Sequence, residues 1–508
     1  MFPAQFVILM ASMPSIRKLT TASGATAIQV VRYHERKVVL LKHVGSARST
    51  EEIAALVQSA QQWIERFTGQ TTLLPRASER VLHLATCRYI GVLHTFAYTI
   101  LSAVAHHCGL AAIPQPLLID LALMRIVEPA SKRRSVQLLK QYFNISYALR
   151  TVYRILPTMT AHKSRVEQIA VECARRELAW KPTLVLYDVT TLYFESFEAD
   201  DLRRPGFSKD HKANQPQIVL GLLVTEQGFP LGYEVFRGNT FEGHTMLPVL
   251  MAFAKRHEVE TCTVVADAAM ISSANVAALQ RQKLTYIVGA RLANCSPVMI
   301  ERIAKELERH DDATIRLATV HGDLVCSFST RRYRKDKAEL DKQVLKAKQL
   351  VEQGEPGKRA KFIKTKQTNG YAFNDPLLEK ATLLLGIKGY YTNIPLSQQS
   401  DAQIIAHYHN LWHVEQAFRM TKSDLLTRPI FHYAEEAVKA HLLICFVALI
   451  MGKYMEMKTG VSLRRMMDLL WEVTDARIID TVTNEVFTLR CEIGEEIKGI
   501  LKKLKLSY

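Results

Sequence analysis

The chain has 508 residues, too many for one ordinary core and enough for two to four domains. Its 48% hydrophobic and 23% charged residues exclude an intrinsically disordered chain. A formal net charge of +17 favours a polyanionic partner, either nucleic acid or an anionic membrane face. Eight cysteines without a C-x-x-C pair exclude a zinc ribbon and a disulfide framework, and fit a reducing cytosol. His106-His107-Cys108 lacks a second ligand pair at finger spacing.

From the N-terminus, the apolar run Phe6–Ala11 is too short to span a bilayer and has no basic residue before it. Met13 is an alternative start. Residues 26–42 alternate like the paired strands of a hairpin, and Ser49 opens a capping-box pattern and an amphipathic helix. These make a first segment, 1–75. Segment 76–180 reads as helical from residue 90, with a Glu128-Pro129 break before a basic helix carrying Lys132, Arg133 and Arg134. That pattern suits a small DNA-binding module and equally suits plain helical packing.

The texture changes at Lys181. Segment 181–290 reads as three strands, helix, strand, helix, strand, which predicts an α/β fold with a mixed sheet covered by helices. Segment 291–381 is polar, with a charged helix over 333–353, a cluster of bases at Arg331–Lys337 and a basic loop over 354–370; it reads as an insertion. Segment 382–456 returns to apolar strands, then a helix over Gln403–Lys422 and a buried helix within 428–451. Its longest apolar run, Leu442–Met451, is half the length of a membrane span, so no membrane association is expected. Segment 457–508 has no clear pattern.

Two strand ends carry acids. Asp188 follows Leu184-Val185-Leu186 in YDVTTLYFE, and Asp267 ends TCTVVAD. Strand tips in a helix-covered sheet open onto the ligand crevice. Two carboxylates brought together there need a cation, and hard oxygen donors suit magnesium or manganese. In YHNLWHVEQAFRMTK, Tyr408, Glu415, Arg419 and Lys422 fall at helical intervals on one stripe. Glu415 is thus a candidate third metal ligand, and Arg419 and Lys422 candidate phosphate contacts; an ion-paired surface helix fits the same spacing. Thr190 and Thr191 can bond a carboxylate or a phosphate, or simply build the strand.

These blocks resemble those of a DDE transposase of the bacterial insertion-sequence type. YDVTTLYFE is similar to the first-aspartate block, VVADAAMIS to the second, and YHNLWHVEQAFRMTKSDLLTRPIFH to the glutamate block. The last follows the signature tyrosine, two residues, arginine, three residues, glutamate, six residues, lysine at Tyr408, Glu415 and Lys422. Leu411 stands where the arginine is expected, and Arg419 offers a charge on the same stripe. With GNTFEGHTMLPVL and GIKGYYTNIP, the likeness runs from about Lys181 to Ile450.

The resemblance implies a ribonuclease-H-like sheet interrupted by an inserted domain, behind a mainly helical N-terminal region. The insertion is mostly β in relatives, and the charged helix departs from that. It also implies Asp188, Asp267 and Glu415 as catalytic groups holding two Mg2+ or Mn2+ ions. Tyr408, Arg419, Lys422, Thr190, Lys132, Arg133 and Arg134 become candidate DNA contacts. The expected activity is strand cleavage at element ends followed by attack of the 3′-hydroxyl on target DNA. The expected partners are terminal inverted repeats, target DNA and a second copy in a DNA-induced homodimer, in the cytoplasm at the nucleoid. A metal-dependent nuclease without strand transfer and an inactive DNA-binding regulator are the alternatives.

Overall fold

The run beginning at Thr26 forms paired strands as expected, but its buried residues come as the adjacent pairs Ala27-Ile28 and Val30-Val31 rather than in alternation. The structure, a computed structural model, describes residues 13–34, 37–68, 84–195, 198–207, 214–259, 262–270, 272–282, 284–353, 360–365 and 371–507. Strands β1 (Ser15–Thr20), β2 (Thr26–His34) and β3 (Lys37–Ala47) make an antiparallel sheet. Helix α1 (Thr50–Thr68) is capped as expected. Ser49 Oγ accepts from the Glu52 amide at 3.2 Å, and the Glu52 carboxylate accepts from the Ser49 amide at 3.4 Å. It buries Leu56 and Ala60 against Ile28 and Val30.

A fourth strand, β4 (Cys87–Leu93), begins where helix was expected. Its partner is Asp475–Asp480, which also pairs with Val486–Arg490. A strand whose partner lies so far along the chain leaves little local signal. The end of the chain, read as a separate segment, therefore joins the N-terminal strands. Met1–Tyr98, Gln141–Asn144 and Leu469–Lys498 form one compact unit, and the other residues form a second.

The expected helical stretch is α2 (Thr95–His107), α3 (Pro116–Val127), α4 (Lys132–Phe143), α5 (Leu149–Ile155) and α6 (Lys163–Leu178). In the second unit follow β5 (Leu184–Tyr193), β6 (Gln217–Thr225), β7 (Pro230–Arg237), α7 (Met246–His257), β8 (Thr263–Ala266), α8 (Ser273–Arg281) and β9 (Thr285–Ala290). Strands β5–β7 are antiparallel neighbours, and β8 lies parallel between β5 and β9. Every residue of β6 and β8 is buried, as a sheet covered on both faces requires. This is the mixed, helix-flanked sheet expected of the fold class.

The polar segment 291–381 supplies α9 (Pro297–Glu306), β10 (Thr314–Thr319), β11 (Gly322–Phe328), α10 (Thr330–Gln353), β12 (Ile363–Thr365), β13 (Tyr371–Phe373) and α11 (Asp375–Leu383). Strands β10 and β11 continue the main sheet through β14 (Ile387–Thr392), giving eight strands in the order β10-β11-β14-β9-β8-β5-β6-β7. Most of the basic loop over 354–370 lies outside the described residues.

The helix expected over Gln403–Lys422 is three pieces: α12 (Asp401–His409), α13 (Trp412–Arg419) and a π-turn, Met420–Asp424. Asn410 sits at the first break and donates to Glu226 at 3.0 Å, and His407 Nδ1 lies 3.2 Å from the same oxygen. Helix α14 (Glu435–Thr459) contains an 18-residue window of mean hydropathy 1.6, apolar enough to cross a membrane, but 94% of that window is covered by the protein.

Candidate active site

Strand pairing brings the two aspartates together. Tyr187 of β5 lies opposite Ala266 of the parallel strand β8, so the next residue on each strand is an aspartate. Adjacent strands run about 4.8 Å apart, and Asp188 and Asp267 each follow the last paired residue of this ladder, which brings their backbones close. Asp188 is half-buried and is held by β6 on its other side, opposite Leu222. Asp267 is exposed and leads into the tight turn Ala268–Met270, closed by the Met270 amide on its carbonyl at 3.0 Å.

Tyr408, at the end of α12, reaches this pair. Its hydroxyl donates to Asp267 Oδ1 at 3.2 Å. The ring is 7% exposed, and burial, reinforced by the negative charge of Asp267, pushes the phenol well above its ordinary pKa. Tyr408 therefore stays a proton donor. Space for it comes from Gly289 on β9, where an added Cβ would stand 2.5 Å from the Tyr408 oxygen.

Lys388 of β14 lies over the tyrosine ring, its ammonium 4.4 Å from the Tyr408 ring centroid. Burial and the charge of Arg332 lower its pKa, while Asp267 and Glu415 act in the opposite direction. Lys388 thus sits in the fields of two of the three candidate acids, and Tyr408 feels both aspartates. Sequence reading did not single out Lys388. The available signal was a lysine between Ile387 and Gly389 in an otherwise apolar strand.

Glu415 occupies the first turn of α13, exposed, on a helix packed against β5 and β6. The four-residue stripe is broken. Tyr408 belongs to α12, Glu415 and Arg419 to α13, and Lys422 to the π-turn. Arg419 is exposed, Lys422 half-buried, and Leu411 is buried within the bend.

Three expected DNA contacts are buried instead: Tyr408, turned onto Asp267, and Lys132 and Thr190. Lys132 is 3% exposed, with its amine 3.0 Å from His441 Nδ1 on α14, because the amphipathic α4 turns that position inward. Thr190 shares a strand face with Asp188 but is 5% exposed inside the sheet. Arg133 and Arg134 are exposed on α4.

Asp188, expected at a strand tip, stands in the middle of β5 because pairing with β6 carries the strand on to Tyr193, whereas Asp267 does follow the end of β8. Their hard carboxylate oxygens fit magnesium or manganese. Glu415 shares their electrostatic surroundings but does not close on them. Among the described residues, no three His, Cys, Asp or Glu side chains gather closely enough to hold one ion.

A solved piggyBac transposase synaptic complex with hairpin DNA is 11% identical over 80% of this chain and 74% of that one, with a TM-score of 0.36. A Mos1 transposase paired-end complex with its left transposon end is 13% identical over 45% of this chain and 66% of that one, with a TM-score of 0.16. No curated protein matches the sequence. The family model described as the transposase DDE domain matches residues 179–451. That span takes in β5, β8 and α13 with their three acids and covers more than half of the 508 residues, so the chain belongs to the family of transposases with a DDE domain.

Proposed function

We propose that this chain cleaves DNA at the ends of a mobile element and joins the freed 3′-hydroxyl to target DNA by metal-dependent phosphoryl transfer. The register of β5 and β8, which makes neighbours of Asp188 and Asp267, carries this reading. Asp188, Asp267 and Glu415 are the residues that would hold the ions. A divalent ion bound there would supply an activated water for the first step and charge neutralisation at the leaving oxygen.

The chain's own part is positioning. The buried strands β5 and β8 fix the backbones of both aspartates, and the Tyr408 hydroxyl fixes the rotation of the Asp267 carboxylate. Arg419, Arg133 and Arg134 are exposed and suited to sequence-independent phosphate contacts. The substrates in this reading are terminal inverted repeats and target duplex, brought together by a DNA-induced homodimer in the cytoplasm.

The test is a cleavage and joining assay with magnesium on DNA carrying the inverted repeats that flank the coding region. Asp188→Ala, Asp267→Ala and Glu415→Ala should each lower cleavage by more than about a hundredfold while DNA binding persists. Full cleavage by any one variant removes that residue from the site. Nicked product without joined product would reduce the activity to that of a nuclease.

A further inference from the structure

A groove of about 740 Å³ opens beside Asp267 and Tyr408 and runs beneath α10. Its lining is of two kinds. Arg291, Arg332, Lys361 and Lys388 provide positive charge, and leucines such as Leu292 and Leu340 provide apolar surface. Three acids offset part of that charge: Asp267, which accepts from the Tyr408 hydroxyl, Asp336, which pairs with Arg332 at 3.2 Å and accepts from the Gly386 amide, and Glu339, which accepts from Gln343 at 3.0 Å. A second groove of about 590 Å³ is also lined by Arg332 and Lys388.

Lys388 is half-buried and makes no salt bridge with a described residue. Its ammonium rests against aromatic faces, 4.4 Å from the Tyr408 centroid and 5.6 Å from that of Tyr390. Ring faces stabilise a cation without neutralising it. A partly desolvated ammonium in that position is a ready partner for an anionic oxygen.

The mixed lining discriminates between forms of DNA. A duplex shows its outside as phosphate and sugar, whereas an unpaired strand presents phosphates together with the apolar faces of its bases. The volume falls within the range of about 300–1,000 Å³ typical of small-ligand sites, which suits a nucleotide or two rather than a double helix. We propose that this groove seats an unpaired stretch of DNA beside the catalytic aspartates, with Lys388 and Arg332 on its phosphates. The inference rests on the DNA-cleaving reading above and adds to it the form of the strand and the residues that hold it.

The experiment compares binding of two fluorescent probes by the full chain, without divalent ions and across a salt series. One probe is a blunt duplex, and the other is the same duplex with a short unpaired thymidine tail. The wild type should prefer the tailed probe. Lys388→Met and Arg332→Met should each weaken tailed binding about tenfold, lower its salt slope by about 0.7, and leave blunt binding unchanged. Lys388→Arg, which keeps the charge, should retain the preference.

A wild type that binds both probes equally overturns the groove and leaves the cleavage reading intact. Equal losses on both probes, no loss, or a Lys388→Arg variant that behaves like Lys388→Met has the same consequence. A wild type that binds neither probe overturns both proposals.

Discussion

At Gly289 one added carbon would collide with the group that steadies Asp267. Alanine there brings a Cβ to 2.5 Å from the Tyr408 oxygen and 3.2 Å from the Ala268 amide nitrogen. Gly289→Ala should destabilise the fold by about 1–3 kcal/mol in denaturant titration. Adding Tyr408→Phe should recover part of that loss, because the hydroxyl that clashes is gone; a strictly additive double variant would refute the contact. Lys132 provides a second test. Arg125, His441 and His432 surround it, with Cys445 nearby, and no described carboxylate pairs with it. Burial lowers its pKa from 10.5 to about 7. The unfolded chain then holds the proton that the folded chain has lost, so stability rises with pH between about 7 and 10.5, at up to about 1.4 kcal/mol per pH unit. Lys132→Met should flatten that rise in pH-dependent unfolding. His432, lowered to about 4 by burial, acts in a different window, below 6.5. The acids at 188 and 267 were legible in the sequence because each closes an apolar run. Lys388 and Lys132 were not, because a lysine's surroundings are set by elements distant in sequence.

Among the elements, α6 is tied to the sheet by one buried carboxylate. Glu167 is 3% exposed and accepts from Lys163 at 2.8 Å and from the Tyr233 amide at 3.2 Å, with Arg256 as a third partner. Glu167→Ala leaves a half-buried lysine and a buried amide without their acceptor, and should cost about 3 kcal/mol in thermal or chemical unfolding. Glu167→Gln, which keeps an acceptor oxygen, should cost less. The break between α12 and α13 shows the limit of reading periodicity. The spacing of Tyr408, Glu415 and Lys422 is helical, but Asn410 bonds to Glu226, and the chain turns before α13 begins. No proline or glycine announces the turn, because its partner lies on the loop after β6. The extension of the sheet by β10 and β11 was hidden for a similar reason. Their alternation is local, but the edge they join is formed by β14, more than fifty residues further on.

For the molecule as a whole, the net charge of +17 predicts DNA affinity that falls steeply with salt. Replacing Arg133 and Arg134 with glutamine should weaken binding on any duplex and reduce the salt slope by about 1.8 if both contact phosphate. An unchanged slope would mark them as a solvated face of α4. What the amino-acid order determined alone was the set of elements with strong local signals: apolar strands carrying acids, the Ser49 helix cap, and the basic excess. These depend on neighbours within a turn or two. Tertiary structure decided which strands lie side by side, which cations are buried, and that a glycine on β9 makes room for a tyrosine from α12. Those outcomes depend on side chains packing across long separations in sequence, where spacing carries no information.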